Sequence, residues 1–514
     1  MTMLLKVKSK VLIFLTFCLI LSVSSCTKKI DKEQNGKIND KPNIIFILAD
    51  DLGYGDIGVY NPESKIPTPN IDKLAMNGIR FTDAHAADVV CSPSRYSLLT
   101  GRYSWRTPLK RGTTATFAGP LIENDRLTVA SLLKEEGYHT ACIGKWHIGM
   151  SFTQKDGHLI TSPLNPQENA SEIDLTVPIK NGPNDVGFDY FFGTAACPTN
   201  APIYAYIEND KVLGNPTKMF EGLDEWMYGR RPGLISDDFD FERTDLIFLD
   251  KSKKFISGHV KNSPNKPFFL FHSAQAIHLP AIPAKEFVGK TGIGPLGDFC
   301  YELDWIVGEL VKTVDSLGVA DNTIIVFSSD NGPETPSWRI KNETGHDASY
   351  SLRGMKRDGW EGGHRVPFIV KWPKAIKGNQ VSDEIVCQTD FLMTCAEILG
   401  IKEKAVEAED SRSLWPILSG KQLIKPMHNA LVHNAFTGEH AIRVGDWKLL
   451  EFQGSGSYNY RNIPIKPPLS NPDALGQLYN LKEDRKETNN LYKQFPEKVE
   501  ELTKILKDIE NIKQ

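Results

Sequence analysis

Residues 91–101 read CSPSRYSLLTG, a run in which a cysteine, a proline, an arginine and a closing L-T-G stand at fixed spacing. Pro93 suits the first turn of a helix, which sets Cys91 just before a helix N-terminus, an end whose unpaired N–H groups favour anions. Two other places carry oxygen ligands. Asp50-Asp51 closes the apolar run PNIIFILADDLG, and Asp330-Asn331 closes the similar run NTIIVFSSDNG. All four side chains are hard donors with no sulfur or imidazole cluster beside them, so Ca²⁺ or Mg²⁺ suits them better than zinc. A third group is cationic or titratable: Lys145 and His147 in GKWHIG, His278 in IHLP, and Lys356 in GMKRDGWEGGHRVP. A divalent cation with several fixed positive groups is what a group transfer needs when negative charge spreads over several oxygens.

Taken together, these motifs resemble the type I sulfatase family, the formylglycine-dependent branch of the alkaline phosphatase superfamily. The pattern C-x-P-S-R-x-x-x-L-T-G matches the family's maturation signature at every defined position, and the resemblance runs from about Pro42 to Leu491. It implies that Cys91 is oxidised to formylglycine (3-oxoalanine). Of the two hydroxyls on the hydrated aldehyde, one attacks sulfur and the other later loses its proton and expels sulfate. It also implies that Asp50, Asp51, Asp330 and Asn331, together with residue 91, hold one divalent cation, usually calcium. Lys145 would then contact the sulfate, and His147 would orient or deprotonate the diol. His278 would be the general acid, Lys356 would bridge sulfate and leaving oxygen, and Arg95 would complete the anion cradle. One position departs from the pattern: Ile277 stands where the family's P-H-x-P element has proline. His272 lies inside the preceding strand and reads as structural. His346, Asp347 and His364 lie near Lys356 in sequence and are candidates for reading sugar hydroxyls.

Something must bring these scattered residues together. The runs ending at Asp50 and Asp330 read as strands buried on both faces, and in open α/β sheets functional groups collect at the carboxyl ends of such strands. Between them, 71–78 and 128–137 read as short helices ending in glycine, 138–144 and 267–272 as strands, and 299–318 as a helix leading into the Asp330 strand. This β–α–β rhythm predicts an α/β fold with a large mixed, mostly parallel sheet sandwiched by helices. The 151–240 stretch, rich in Pro, Gly and Asn, reads as long decorated loops. After about residue 420 the segments AIRVGDWKLLEF and QLYNLKED and a polar helix from Pro496 to Gln514 predict a smaller α+β subdomain. The expected division is a catalytic domain over 42–420 and a C-terminal subdomain over 421–514.

A formal net charge of −4 over 514 residues provides no basic face for nucleic acid. Lys6, Lys8 and Lys10, an apolar run from Val11 to Leu21 and small residues after it form a secretory signal over 1–25. Val23-Ser24-Ser25-Cys26 resembles a lipobox, which implies lipidation of Cys26, and residues 26–41 read as a polar tether. The expected setting is export, with a lipid anchor at the outer membrane or otherwise the periplasm. The expected partners are a formylglycine-generating or anaerobic sulfatase-maturing enzyme and a sulfated glycan. Ulvan, carrageenan and glycosaminoglycans are the leading glycans, cut from oligosaccharide ends if the 151–240 loops wall off a pocket. Two alternatives stay open: a phosphoester or phosphonate hydrolase of the same superfamily, and a glycan-binding pseudoenzyme in which Cys91 is never matured.

Overall fold

The computed structural model describes residues 41–167, 169–197, 202–225, 227–401, 407–458 and 468–512. The expected signal segment, Cys26 and all of the tether but Lys41 lie outside the described residues. The apolar run before Asp50 forms strand β1 (Asn43–Ala49). Helix α1 (Pro69–Met76) opens with a proline, which lacks only an N–H that has no helical partner there. Strands β2 (Ile79–Phe81) and β3 (Ala84–His85) lead into α2 (Cys91–Thr100), which Gly101 ends at a φ of 65°. Thr128 caps α3 (Val129–Glu135) by accepting from the Ser131 N–H, and the chain returns as β4 (His139–Lys145). Next come β5 (Tyr190–Thr194) and the short β6 (Ile203–Tyr204), β7 (Ile207–Glu208), β8 (Lys211–Val212), β9 (Lys218–Phe220) and β10 (Gly233–Ile235). Helix α4 (Thr244–Asn262), β11 (Phe268–Ser273), α5 (Pro295–Ser316) and β12 (Thr323–Ser329) restore the strand–helix alternation.

Beyond Asp330 lie α6 (Pro336–Thr344), α7 (Glu361–His364), β13 (Phe368–Lys371), β14 (Gln380–Ser382), β15 (Val386–Cys387) and α8 (Asp390–Ile398). The main sheet has the order β14-β2-β13-β12-β1-β11-β4-β5-β7-β8. Its five central strands, from β12 to β5, run parallel, and β13 and β7 turn antiparallel at the flanks. Side chains alternate along a strand. Ile45 and Ile47 of β1 therefore enter a core with Phe248 of α4 and Leu303 of α5, while Phe46 faces the other way and meets Phe391 of α8 at 4.8 Å. Helices cover both faces, so the expected sandwich is present.

The 151–240 stretch departs from its reading as loops. It contributes β5 to the main sheet and holds a small sheet of order β6-β10-β9. Strands of two or three residues carry no alternation long enough to see in sequence. The chain closes with α9 (Trp415–Leu418), the antiparallel sheet β16 (Leu431–Asn434), β17 (His440–Val444), β18 (Trp447–Leu450) and β19 (Gln477–Asn480), and helix α10 (Pro496–Glu510). Leu502 and Leu506 of α10 bury against Ile442, Leu449 and Leu478 of that sheet. Among the described residues, no helix is long and apolar enough to cross a membrane.

Candidate active site

Strands β1 and β12 pair in parallel with Ala49 opposite Ser329, so Asp50-Asp51 and Asp330-Asn331 leave the sheet side by side. Asp51 bends away at a φ of 63°, its N–H donating to Asp330 Oδ1 at 3.2 Å. All four side chains are buried. Three carboxylates this close need compensation, and three cations supply it. Lys145 Nζ lies 2.5 Å from Asp50 Oδ2, Lys356 Nζ 2.7 Å from Asp51 Oδ1, and an Arg95 nitrogen 2.9 Å from Asp330 Oδ2. Asp50 Oδ1 and Asn331 Oδ1 are nevertheless buried with no hydrogen-bond partner. Ligand atoms of Asp50, Cys91 and Asp330 all lie within 4.8 Å of one another. Unused lone pairs on a hard-oxygen cluster fit a Ca²⁺ or Mg²⁺ ion.

Cys91 opens α2, and the Val90 side chain before it caps none of the first-turn N–H groups. Burial pushes the Cys91 thiol up, against the pull of Lys145 and then Lys356, so the unmodified side chain stays a thiol. His147 Nδ1 stands 3.3 Å from Cys91 Sγ. The other ring nitrogen, Nε2, meets the Thr114 carbonyl at 3.1 Å and must donate there, which leaves the Nδ1 lone pair facing residue 91. Burial, Lys145 and Arg95 together hold His147 well below the usual imidazole range, so it is neutral. His278 sits in the loop after β11, its Nδ1 2.5 Å from the Leu279 carbonyl and its Nε2 3.7 Å from Asp51 Oδ2. Burial opposes protonation of His278, but Cys197, Asp51 and Asp50 outweigh it and Lys356, and the pKa is raised.

A cavity of about 710 Å³ opens above this cluster, with Cys91, His147, His278 and Lys356 in its lining. A family model described as Sulfatase matches residues 42–401, and one described as N-sulphoglucosamine sulphohydrolase, C-terminal, matches 355–514. The chain is 34% identical to an N-acetylgalactosamine-6-O-sulfatase of Bacteroides thetaiotaomicron, covering 95% of this chain and 96% of that one. It is 30% identical to human arylsulfatase A, covering 92% and 87%. Among solved structures it is similar to a protein from a glycosaminoglycan-metabolism locus of Bacteroides thetaiotaomicron, at a TM-score of 0.78 and 32% identity over 91% of this chain and 99% of that one.

The chain belongs to the sulfatase family. It is a sulfuric ester hydrolase on an alkaline-phosphatase-like frame.

The sulfatase fold brings Asp50, Asp51, Cys91, Arg95, Lys145, His147, His278, Asp330, Asn331 and Lys356 into one cluster. Arg95 sits deeper than the cradle expected of it. It is fully buried, and its guanidinium is spent on Asp330, the Lys145 carbonyl and Ser273 Oγ, so it braces the carboxylates from behind. The three sugar-reading candidates lie elsewhere. His346 is buried between the Lys65 N–H and Asp56 Oδ1, and Asp347 pairs with Lys341 on a different surface. His364 is fully buried, stacked on His433 at 3.8 Å and bonded to His85 and Lys448. None of the three lines the cavity, because nearness to Lys356 along the chain does not survive the turns after it. The sequence reading missed Glu334 and Arg357. Glu334 accepts from both Arg357 terminal nitrogens, at 2.5 and 2.7 Å, and lies 3.4 Å from Lys356 Nζ. Their positions next to Asp330-Asn331 and Lys356 were the available signal. Cys197, buried beside His278, had none.

Proposed function

We propose that this sulfatase desulfates the ends of sulfated glycan oligosaccharides, with Cys91 matured to formylglycine and a Ca²⁺ (or Mg²⁺) held by Asp50, Asp51, Asp330 and Asn331. The observation that carries this is the convergence of residue 91 and Lys356, both in the lining of one cavity, with the under-bonded oxygen cluster and the Lys145 paired to it. When bound, the cation would supply Lewis-acid charge at a sulfate oxygen. Matured residue 91 would supply a hydrated aldehyde in place of a thiol that stays protonated.

The chain's own side chains divide the remaining work. His147 Nδ1, an acceptor beside residue 91, takes a proton from a hydroxyl at that position. Lys145 and Lys356, the two largest charges favouring an anion at Cys91, hold negative charge as it builds on sulfate oxygens. Arg95 fixes Asp330, and the Glu334–Arg357 pair fixes Lys356 from the far side. His278, in the cavity lining with Nδ1 committed to Leu279, gives a proton from Nε2 to the departing sugar oxygen.

A cavity of about 710 Å³ has room for one or two sugar rings, which favours action at chain ends. The relative named N-acetylgalactosamine-6-O-sulfatase and the neighbour from a glycosaminoglycan-metabolism locus favour glycosaminoglycan-derived amino sugars over algal polysaccharides. Export and a lipid anchor at Cys26 complete the proposal, since such glycans are met outside the cytoplasm.

The test co-expresses the chain with a maturation enzyme and measures the mass of the Cys91 peptide. Sulfate release is then followed from 4-nitrophenyl sulfate and from N-acetylgalactosamine 6-sulfate, beside 4-nitrophenyl phosphate. The expected result is an aldehyde at residue 91, cation-dependent turnover of the sulfates over the phosphate, and loss of turnover in Cys91→Ala. An unmodified cysteine in a protein that turns over sulfate equally well would overturn the formylglycine assignment.

A further inference from the structure

One wall of the cavity is not used by the chemistry above. Strands β9 and β10 pair antiparallel, and the hairpin continues as Leu223 and Arg230 exchange backbone hydrogen bonds of 2.8 Å in both directions. Its tip is fastened to the loop that carries His278, because the Ala281 N–H donates to the Met227 carbonyl at 2.8 Å. The returning arm places Arg230 and Arg231 in the cavity lining together with Cys91 and Lys356.

These two arginines differ from the third one in the lining. Arg357 is spent on Glu334 through two short hydrogen bonds. The Arg230 Cζ instead sits over two rings, 4.6 Å from the Phe241 centroid and 5.5 Å from that of Phe220, and its Nε is buried with no hydrogen-bond partner. Arg231 is exposed, and its carbonyl is anchored by the Tyr204 hydroxyl at 2.5 Å. Among the described residues, neither guanidinium enters an ion pair with the hairpin's own Glu221 or Asp224. The two ring contacts hold the Arg230 guanidinium in place before any ligand arrives, and a guanidinium fork matches the paired oxygens of a carboxylate or sulfate.

We propose that Arg230 and Arg231 form an anion-binding subsite on the hairpin wall, so that the preferred substrate carries a second negative group on the same or the adjoining sugar. That group is a uronate carboxylate or a second sulfate. The assignment rests on the glycan sulfatase reading and narrows it: a neutral, singly sulfated sugar is the poorer substrate.

Three oligosaccharides sharing one scissile sulfate test this, with the neighbouring sugar neutral, uronic or sulfated. The matured wild type is compared with Arg231→Ala and with Arg230→Lys, which keeps the charge but loses the fork. The expected wild-type preference for a dianionic substrate is about ten- to a hundredfold in kcat/KM, carried mainly by KM, as for a charge-assisted hydrogen bond. Both variants should collapse that ratio, and raised salt should shrink it. Preference for the uronate alone assigns a carboxylate, and preference for the disulfated compound alone assigns a second sulfate. Equal kcat/KM on all three substrates, or variants that keep the wild-type ratio, would overturn the subsite. Calorimetric binding to Cys91→Ala gives a second readout that needs no turnover. A matured enzyme that hydrolysed none of the three would count against the glycan-substrate reading, and the calorimetric preference would still decide the subsite.

Discussion

His278 shows what a single side chain can be asked to do. It lines the cavity, and a general acid matters in proportion to how badly the leaving oxygen needs a proton. His278→Gln should therefore lower kcat on a sugar sulfate by about a hundredfold or more, and on 4-nitrophenyl sulfate far less, because nitrophenolate leaves without help. Equal losses on the two substrates would remove the acid role. The loop before His278 is held by Asp245, whose Oδ1 accepts from the Gln275 N–H at 2.8 Å. Burial pushes the Asp245 carboxyl up to about 7, against the backbone N–H groups of Gln275 and Ala276. A raised carboxyl stabilises the fold fully below its unfolded pKa, and the contribution is lost as pH rises toward the folded value. Relative to Asp245→Asn, wild-type stability should thus fall by about 1 kcal/mol per pH unit between pH 5 and 7 and then level off. A difference that is flat with pH, read from denaturant melts, would show that Asp245 is not protonated in the fold. At this scale the sequence was most legible where chemistry demands fixed residue types, as in CSPSRYSLLTG and the two acidic strand ends. It was least legible for Arg230 and Arg231, which reach the site only through a hairpin fixed by tertiary contacts. His346 and His364 misled because a polar residue near a motif can equally satisfy a buried network.

Among the elements, the join between α7 and the C-terminal sheet carries the most consequence. Lys448 of β18 is fully buried, 3.0 Å from Glu361 of α7 and 3.0 Å from Glu487. It also donates to His364 Nε2 at 3.1 Å, which obliges His364 Nδ1 to donate to His85 and His85 Nε2 to donate to Asp83. One ammonium thus sets the direction of a proton chain that crosses from the C-terminal sheet into the main body. Lys448→Met fills similar volume but leaves buried carboxylates without it, and should cost about 3–5 kcal/mol. Arg365 and Arg443 still face Glu361, so the deficit falls first on Glu487. Adding Glu487→Gln to Lys448→Met should recover part of the loss in a thermal melt, and a double variant no more stable than the single would refute that assignment. The β–α–β course of the central sheet was readable because its strands are long apolar runs bounded by turns. Helix α4 and the short strands of 203–235 were not, since α4 is only weakly amphipathic and strands of two or three residues have no period. The polar joint was invisible too, because GDWKLL and WEGGHRVP lie far apart in sequence and meet only in the fold.

For the whole molecule, the oxygen cluster is where separate parts of the chain are tied together. Its members come from the end of β1, the start of α2 and the end of β12, so the unfolded chain cannot assemble them. The three carboxylates are already balanced by Arg95, Lys145 and Lys356, so the fold should not need the ion to cancel their repulsion. Calcium should therefore raise the melting temperature modestly: binding at a hundred times Kd contributes about 2.7 kcal/mol, a few degrees for a chain of this size. Chelation should reverse the shift. Asn331 offers the cleanest variant, because its Oδ1 is one of the two under-bonded oxygens and its loss leaves no charge unpaired. Asn331→Ala should keep most of the metal-free stability while shrinking the calcium-induced rise and moving its midpoint to higher concentration. If calcium raised turnover with no effect on the melt, or if Asn331→Ala gave the wild-type rise, the ion would have to be held by atoms other than these.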